Sequence, residues 1–394
     1  SLGYPYRLYR WFHRRVPFGI HRSVGRKYDT AKKGNSAMRF GISVYPGLGT
    51  PIEEHLTLIR RAAACGITCL FTSLHIPETN KKDFTEEWQK MMTAAHSAGL
   101  KVIADTSPAA LSFLTADPFD PHTLRTLGLH ALRLDDGFSL ADIARLSHSG
   151  GDLQLLLNAS TLKEQELTAL KTEGADFSRL AALHNFYPRP GTGLSLPFFQ
   201  QQNKILHRYD LTTGAFIPAA QRRRAPLYEG LPTLELHRNM PPDLAARHLS
   251  ALGIDSIFIG DDGPSEEELS HLSAIPPDTV ALRAHLLVKD TALREILSQP
   301  FTARPDAARD AIRAIEGKAR FHGHPLSPEN TIARPFGAVT LDNLGYLRYA
   351  GELQIIKRPQ PADPRTNVIA QVVPEEQFLI PLIRPGQRFT FRFE

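Results

Sequence analysis

Cysteine is nearly absent from this chain. Cys65 and Cys69 are the only two in 394 residues, and their C-G-I-T-C spacing matches neither a zinc knuckle nor a thioredoxin-type pair. They read as buried thiols of a reducing compartment. Long apolar runs are missing too, since no segment approaches the roughly 18 apolar residues of a membrane span, so no membrane partner is expected. No H-E-x-x-H or clustered His/Cys spacing occurs, and the H-G-H at 322–324 falls outside the region where the chemistry is expected. A G-x-S-x-G elbow is lacking, and no G-x-G-x-x-G or Walker loop follows the first apolar run. Neither a metal nor another cofactor is expected.

What is present is an ordinary globular composition, 42% hydrophobic and 22% charged. The length exceeds what one common core supports, so two domains are expected. The formal net charge of +5 is unevenly placed. Residues 1–37 carry nine Arg and Lys against the single acid Asp29, which leaves the remainder slightly acidic. That distribution argues against a nucleic-acid partner. The leader has no unbroken apolar core of a secretory signal, and Met38 stands directly before the first strand-like run, so 1–37 is expected to lie outside the fold.

From Met38 onward, short apolar runs alternate with segments of helical period. Candidate strands are 39–46, 67–74, 100–107, 131–137, 153–160, 180–188, 214–219 and 255–262. Eight such units in about 240 residues suit an α/β fold of the (β/α)8 TIM-barrel type. Helix signals fit between them. Thr50-Pro51-Ile52-Glu53 offers a hydroxyl cap with proline at the first helical position, and Gly66, Gly99 and Gly174 stand where helices should stop. Ser107-Pro108, Ser139-x-x-Asp142 and Ser265-x-x-Glu268 start helices by the same chemistry. Past Pro276-Pro277 the texture turns all-β, so the expected domains are 38–275 for the barrel and 276–394 for a small barrel or sandwich.

In a TIM barrel the chemistry sits at the C-terminal strand ends. The polar residues there include Tyr45, Ser73, His75, Asp105, Asp135, Asp136, Asn158, His184, Asn185, Tyr187 and Asp261. Long loops after the sixth and seventh strands add Arg189, the run Arg222 to Arg224, Glu229, Glu235, His237 and Arg238. Two carboxylates across a glycosidic bond supply an acid and a base or nucleophile, and arginine forks suit a phosphate or carboxylate. Asp135 and Glu229 are the leading catalytic pair, with Asp105 and Glu235 in reserve. Strand alternation turns Asp135 toward the barrel axis if Leu134 packs on the helices. Each has a plain structural alternative: Asp105 and Asp135 as helix caps or partners of Arg133, Asp136 as a helix-leading acid, Glu229 and Glu235 as loop ion pairs, His184 as a hydrogen-bonded core residue.

G-I-S-V-Y-P at 41–46, F-T-S-L-H-I-P-E at 71–78, L-R-L-D at 132–135, L-N-A-S-T at 157–161, H-N-F-Y-P-R-P-G-T-G-L at 184–194, P-L-Y-E-G-L-P-T-L-E at 226–235, I-G-D at 259–261 and L-D-N-L-G-Y-L-R-Y-A-G-E-L-Q-I at 341–355 resemble, in order, the bacterial 6-phospho-N-acetylmuramidase family. The resemblance spans about 39–394. It implies a TIM barrel fused to a cyclophilin-like β domain. It also implies a cytoplasmic glycosidase that separates N-acetylmuramic acid 6-phosphate from N-acetylglucosamine in cell-wall recycling. A substrate carrying a phosphate and a lactyl carboxylate accounts for the arginines, with Tyr45, Ser73, His75, Asn158, His184, Asn185, Tyr187, Arg189, Arg224 and Arg348 as expected contacts. Two other readings compete: a phosphosugar isomerase or lyase on the same barrel, and a peptide-binding or prolyl-isomerase module in the second domain.

Overall fold

A continuous apolar run buries both faces of a strand, and eight such strands close on themselves here. The computed structural model describes residues 39–74, 81–112, 120, 124, 126–135, 137–148 and 153–393. The strands are β1 (Arg39–Ser43), β2 (Cys69–Ser73), β3 (Lys101–Thr106), β4 (Ala131–Leu134), β5 (Gln154–Asn158), β6 (Leu180–Leu183), β7 (Thr213–Ile217) and β8 (Ser256–Ile259). They form a closed barrel in sequence order, and β8 returns to β1 in parallel with Ile257 opposite Phe40. The expected TIM barrel is therefore the fold. Each strand stops short of its apolar run because the residues after it leave the ladder to build the mouth.

The period of two separates two cores. Ile42, Leu70, Val102, Leu132, Leu134, Leu155 and Ile257 point outward and pack on the helices. Phe71, Ile103, Ala131, Leu156, Leu183, Phe216 and Phe258 point inward and fill the barrel. Rings of Phe71 and Phe216 meet edge to face at 5.0 Å, and Phe258 lies 5.6 Å from Phe216. A fully buried aromatic of this kind contributes ~1.5–3 kcal/mol. Gly41 makes room for one of them, because a Cβ there would fall 2.1 Å from the Phe258 ring.

The helices that matter below are α1 (Ile52–Ala64), α2 (Lys81–Ser97), α3 (Pro108–Leu111), α4 (Leu140–Ser147), α5 (Glu164–Thr172), α6 (Leu196–Arg208), α7 (Pro242–Ala251) and α8 (Glu266–Ser273). Ser107 caps α3 by accepting from Ala110 N, and Ser139 with Asp142 and Ser265 with Glu268 form reciprocal capping boxes. The expected Thr50 cap is not formed. Pro51 takes the cap position without a side-chain bond, and the Thr50 hydroxyl instead donates to Asp262 Oδ2 at 3.0 Å. Cys69 is buried as expected, whereas Cys65, at the end of α1, is only half-buried.

Beyond α8 the chain forms a mixed seven-stranded sheet. Its strands are β9 (Thr279–Leu286), β10 (Phe301–Thr302), β11 (Ala311–Arg313), β12 (Ala338–Asp342), β13 (Leu353–Ile356), β14 (Thr366–Val372) and β15 (Arg388–Phe393), in the order β10-β15-β9-β14-β12-β13-β11. Helix α7 is shared between the two parts. Its Leu244 and Ala251 belong to the second sheet's core, and its Arg247 donates to both oxygens of Glu376, which has no exposed surface. Arg283 of β9 also donates to Glu376, through Nε at 2.5 Å. Losing one partner of such a buried pair costs about 3–5 kcal/mol, because the other charge is left unsatisfied.

Candidate active site

The barrel's inward positions, carried one step past the strands, bring the candidates together. Gly41, Ser43 and Tyr45 share one parity on β1; Phe71 and Ser73 do so on β2, and Ile103 and Asp105 on β3. On β4 the series is Ala131, Arg133, Asp135. Leu134 packs outward on the helices, which meets the condition for Asp135 to face the axis; Asp135 is half-buried there.

Arg133 is the centre of this layer. Only 3% of it is exposed, yet it rises from a strand of apolar neighbours, so its charge has to be answered inside the barrel. Its Nη1 donates to Asp105 Oδ1 at 2.6 Å, its Nε to Leu183 O at 3.2 Å, and its Nη2 to Asn185 Oδ1. Asp105 and Asn185 are thereby fixed on either side of the barrel. Asn158 caps its own turn by accepting from Ser160 N at 3.1 Å, and it remains half-buried at the mouth.

The roof is aromatic. Phe186 stands edge-on to Tyr45, Phe71 and Phe216. The Tyr45 hydroxyl donates to Gly260 O at 2.7 Å, and burial pushes its acidity far out of reach, so this phenol stays protonated. Across these rings lies Arg224, its guanidinium carbon 4.2 Å from the Tyr45 ring centre and 5.0 Å from that of Phe186. The loop holding it is pinned by Asp261, which has no exposure and accepts from Arg224 N at 2.9 Å and Ala219 N at 2.8 Å. Arg224 Nε has no hydrogen-bond partner among the described residues.

The other arginines have structural duties. Arg222 pairs with Glu54 on the surface at 2.5 Å. Arg223 donates to Ala219 O, Glu229 O and Arg238 O and so shapes the loop from within. Arg238 is 4% exposed and binds the carbonyls of Glu229, Gly230, Tyr187 and Arg189, which staples the loop after β6 to the loop after β7. Arg189 itself is exposed on the first of these loops, next to half-buried Tyr187.

Two expected site residues are engaged with the protein itself. Glu235 accepts Gly191 N at 2.8 Å, Gly193 N at 2.7 Å and two bonds from Arg238, and the Arg238 bonds hold its carboxyl down to about 2. A group so fully engaged and so firmly ionised is unsuited to be a general acid; it is a loop clamp. His184 has the opposite strand parity from Leu183 and Asn185, so it faces the helices. It has no exposure, its ring lies between Ser160 Oγ at 3.1 Å and Asn203 Oδ1 at 3.4 Å, and burial lowers its pKa to about 3. The hydrogen-bonded core reading is the one its position fits.

Glu229 is exposed on the loop after β7, between Tyr228 (φ 55°) and buried Gly230 (φ 82°). Among the described residues its recorded hydrogen bonds are to its carbonyl, from Arg223 and Arg238. Arg348 belongs to the second sheet, where its Nη2 donates to Tyr349 Oη at 2.7 Å. His75, Asp136 and the leader 1–37 lie outside the described residues. Among the described residues no group of three His, Cys, Asp or Glu could hold a metal ion, and no helix is long and apolar enough to cross a membrane.

The barrel and the second sheet coincide with two family models. The 6-phospho-N-acetylmuramidase N-terminal model matches residues 40–274, and the corresponding C-terminal model matches 280–392. The chain belongs to the 6-phospho-N-acetylmuramidase family. Two solved structures are similar across nearly all of it. One is an uncharacterized B. cereus protein, with 28% identity over 90% of this chain and 99% of that one and a TM-score of 0.77. The other is a conserved Enterococcus faecalis protein of unknown function, with 35% identity over 90% and 96% and a TM-score of 0.64. No curated protein matches.

For this 6-phospho-N-acetylmuramidase family member, Arg133 and Phe186 belong to the site although the strand-end reading did not select them, and Arg238, which it did select, proves to be a loop staple. Arg133 carried a readable signal, a lone charge inside an apolar strand, and its pairing with Asp105 was one of the readings open there. Glu235 and Arg238 also stood at the i,i+3 spacing of a local ion pair. Phe186 had no comparable signal, since nothing local distinguishes a roof aromatic from a core one.

Proposed function

We propose that this chain is a glycoside hydrolase that cleaves N-acetylmuramic acid 6-phosphate from N-acetylglucosamine in cell-wall recycling. The observation that carries the reading is Arg224: a half-buried guanidinium spread over Tyr45 and Phe186, its buried Nε without a partner among the described residues, on the same mouth as Asp135. A rigid fork of this kind matches a phosphate or carboxylate, and the aromatic platform keeps it in place without consuming its donors. Membership of the family supports the phosphorylated amino sugar as substrate.

In this reading Asp135 approaches the scissile bond from the barrel axis and Glu229 from the loop after β7. Asp105, held by Arg133, is the reserve, while Glu235 shapes the loop and takes no proton. Arg224 and Arg189 receive the phosphate and the lactyl carboxylate; Tyr45, Ser73, Asn158, Asn185 and Tyr187 line the rest. A 2-acetamido sugar also permits its own carbonyl to attack, with Asp135 and Asp136 as the orienting pair. A phosphorylated substrate places the enzyme in the cytoplasm, and the second sheet serves as a cyclophilin-like domain without peptide chemistry. The test is to incubate the protein with phosphorylated and unphosphorylated muramyl disaccharide and separate the products. Release of free N-acetylglucosamine supports hydrolysis, whereas a rearranged or dehydrated phosphosugar without it indicates an isomerase or lyase.

A further inference from the structure

The turn between β12 and β13, residues 343–352, carries Arg348, an expected substrate contact to which the reading above gives no definite place. Its base is firmly built. Asn343 is fully buried, donates to Pro364 O at 3.0 Å and Asn367 Oδ1 at 2.8 Å, and accepts from Gly345 N at 2.9 Å. The Tyr346 hydroxyl donates to Asp363 Oδ2 at 3.0 Å, and Arg365 holds the same carboxylate. On this base stands Leu347, with φ 54° and ψ −121°, a conformation that suits glycine and strains a leucine.

That strain is not offset by burial, because Leu347 is 81% exposed. Leu344 and Tyr349 beside it are also exposed, and Lys318 and Arg348 hold their charges 5.0 and 4.9 Å from the Tyr349 ring. The knuckle thus presents aliphatic, aromatic and cationic groups together. Those are the groups that pack on the C–H face of a sugar and receive an anion.

Strand register says where the knuckle points. At the start of α7, Asp243 lies 3.7 Å from Arg392, which is level with Arg283 of β9; one turn on, Arg247 donates to Ala281 O. Helix α7 therefore runs against β9, and β9 runs in the direction of the barrel strands. Ala370 of β14 pairs with Leu286 at the far end of β9, and Thr366, four residues beyond, pairs with Asp342. At about 3.3 Å per residue the turn leaves the sheet roughly 20 Å past the start of α7, on the mouth side of the barrel.

We propose that this knuckle is a specificity element of the substrate cleft, in which Leu347 and Arg348 engage the sugar on the leaving side of the scissile bond. The proposal rests on the glycosidase reading. Leu347→Gly removes the strain and the side chain together, and Arg348→Ala leaves the backbone alone. Each is to be assayed on the phosphorylated disaccharide and on an aryl glycoside of N-acetylmuramic acid 6-phosphate, which has no second sugar. Expected are a KM for the disaccharide raised about tenfold, as for one lost contact of ordinary strength, and aryl-glycoside cleavage within about twofold of wild type. The Leu347→Gly melting temperature should be unchanged or higher. Wild-type kinetics on the disaccharide in both variants, or equal losses on both substrates, overturns the proposal. Wild-type protein that cleaves neither substrate overturns the glycosidase reading and this inference with it.

Discussion

The Glu235 carboxylate and the Arg238 guanidinium, three residues apart, meet through hydrogen bonds of 2.7 and 2.8 Å, and between them they fix both long loops of the barrel mouth. Glu235 holds Gly191 and Gly193, while Arg238 holds the carbonyls of Tyr187, Arg189, Glu229 and Gly230. Glu235→Gln should therefore lower stability by about 1–3 kcal/mol and raise KM more than it lowers kcat. The pH dependence has a definite sign. With the folded carboxyl depressed from 4.5 to about 2, its contribution is complete above roughly pH 5 and is lost as pH falls from 4.5 through 2. Urea denaturation of wild type and variant should show a gap that is constant near neutrality and closes in acid.

Asp135→Asn and Glu229→Gln should each lower turnover by ~10²–10⁴-fold while leaving the circular dichroism spectrum intact, as removal of an acid or base does. A folded variant that retains more than about a tenth of wild-type turnover loses its assigned role, and Asp105 takes its place. Glu235 no longer serves as a substitute, for the reasons given by its four hydrogen bonds.

Wild-type protein should cleave the phosphorylated disaccharide at least ~100-fold better than the unphosphorylated one, a preference worth roughly 3 kcal/mol. Arg224→Ala should erase most of that preference by lowering kcat/KM for the phosphorylated substrate alone. Equal loss on both substrates would show that Arg224 only supports the aromatic roof.

His184 gives a second pH signature. Its folded pKa of about 3 lies below the ordinary 6.5, so the unfolded chain binds a proton between these values that the native wall excludes. His184 alone should contribute a loss of about 1.4 kcal/mol for each pH unit descended within that window, beside the same-sign contributions of buried His237 and His248. His184→Gln should make this slope shallower in urea titrations from pH 7 to 4, and an unchanged slope would remove His184 from its causes.

The eight strands were legible because an inward and outward alternation has to be written into the sequence of every barrel strand, and runs such as L-Q-L-L-L-N or T-G-A-F-I carry little else. Capping chemistry was legible where Ser precedes Asp or Glu by three, as at Ser139 and Ser265. It misled at Thr50, whose hydroxyl found a carboxylate 212 residues away instead of its own helix. The site was legible as a set of strand ends but not as roles. Parity, applied to residues 183–185, separates His184 from its neighbours; the exact end of β6 that sets this parity is visible only in the ladder. Glu235 and Glu229 look alike in sequence, both loop acids after the seventh strand. What distinguishes them is the company of two glycine amides and a buried arginine, which tertiary folding alone brings.

The phenylalanines that fill the barrel also bear on traffic. With the rings of Phe71, Phe216 and Phe258 packed against one another below and Phe186 edge-on to Phe71 and Phe216, the centre of the barrel is filled by side chains. A ligand therefore reaches the strand ends from the loop side and leaves by that side. On the glycosidase reading both products depart by that side, so the loops flanking it set the order of their release. Whichever product is last to leave the strand ends should inhibit competitively with substrate, and product-inhibition kinetics would identify it.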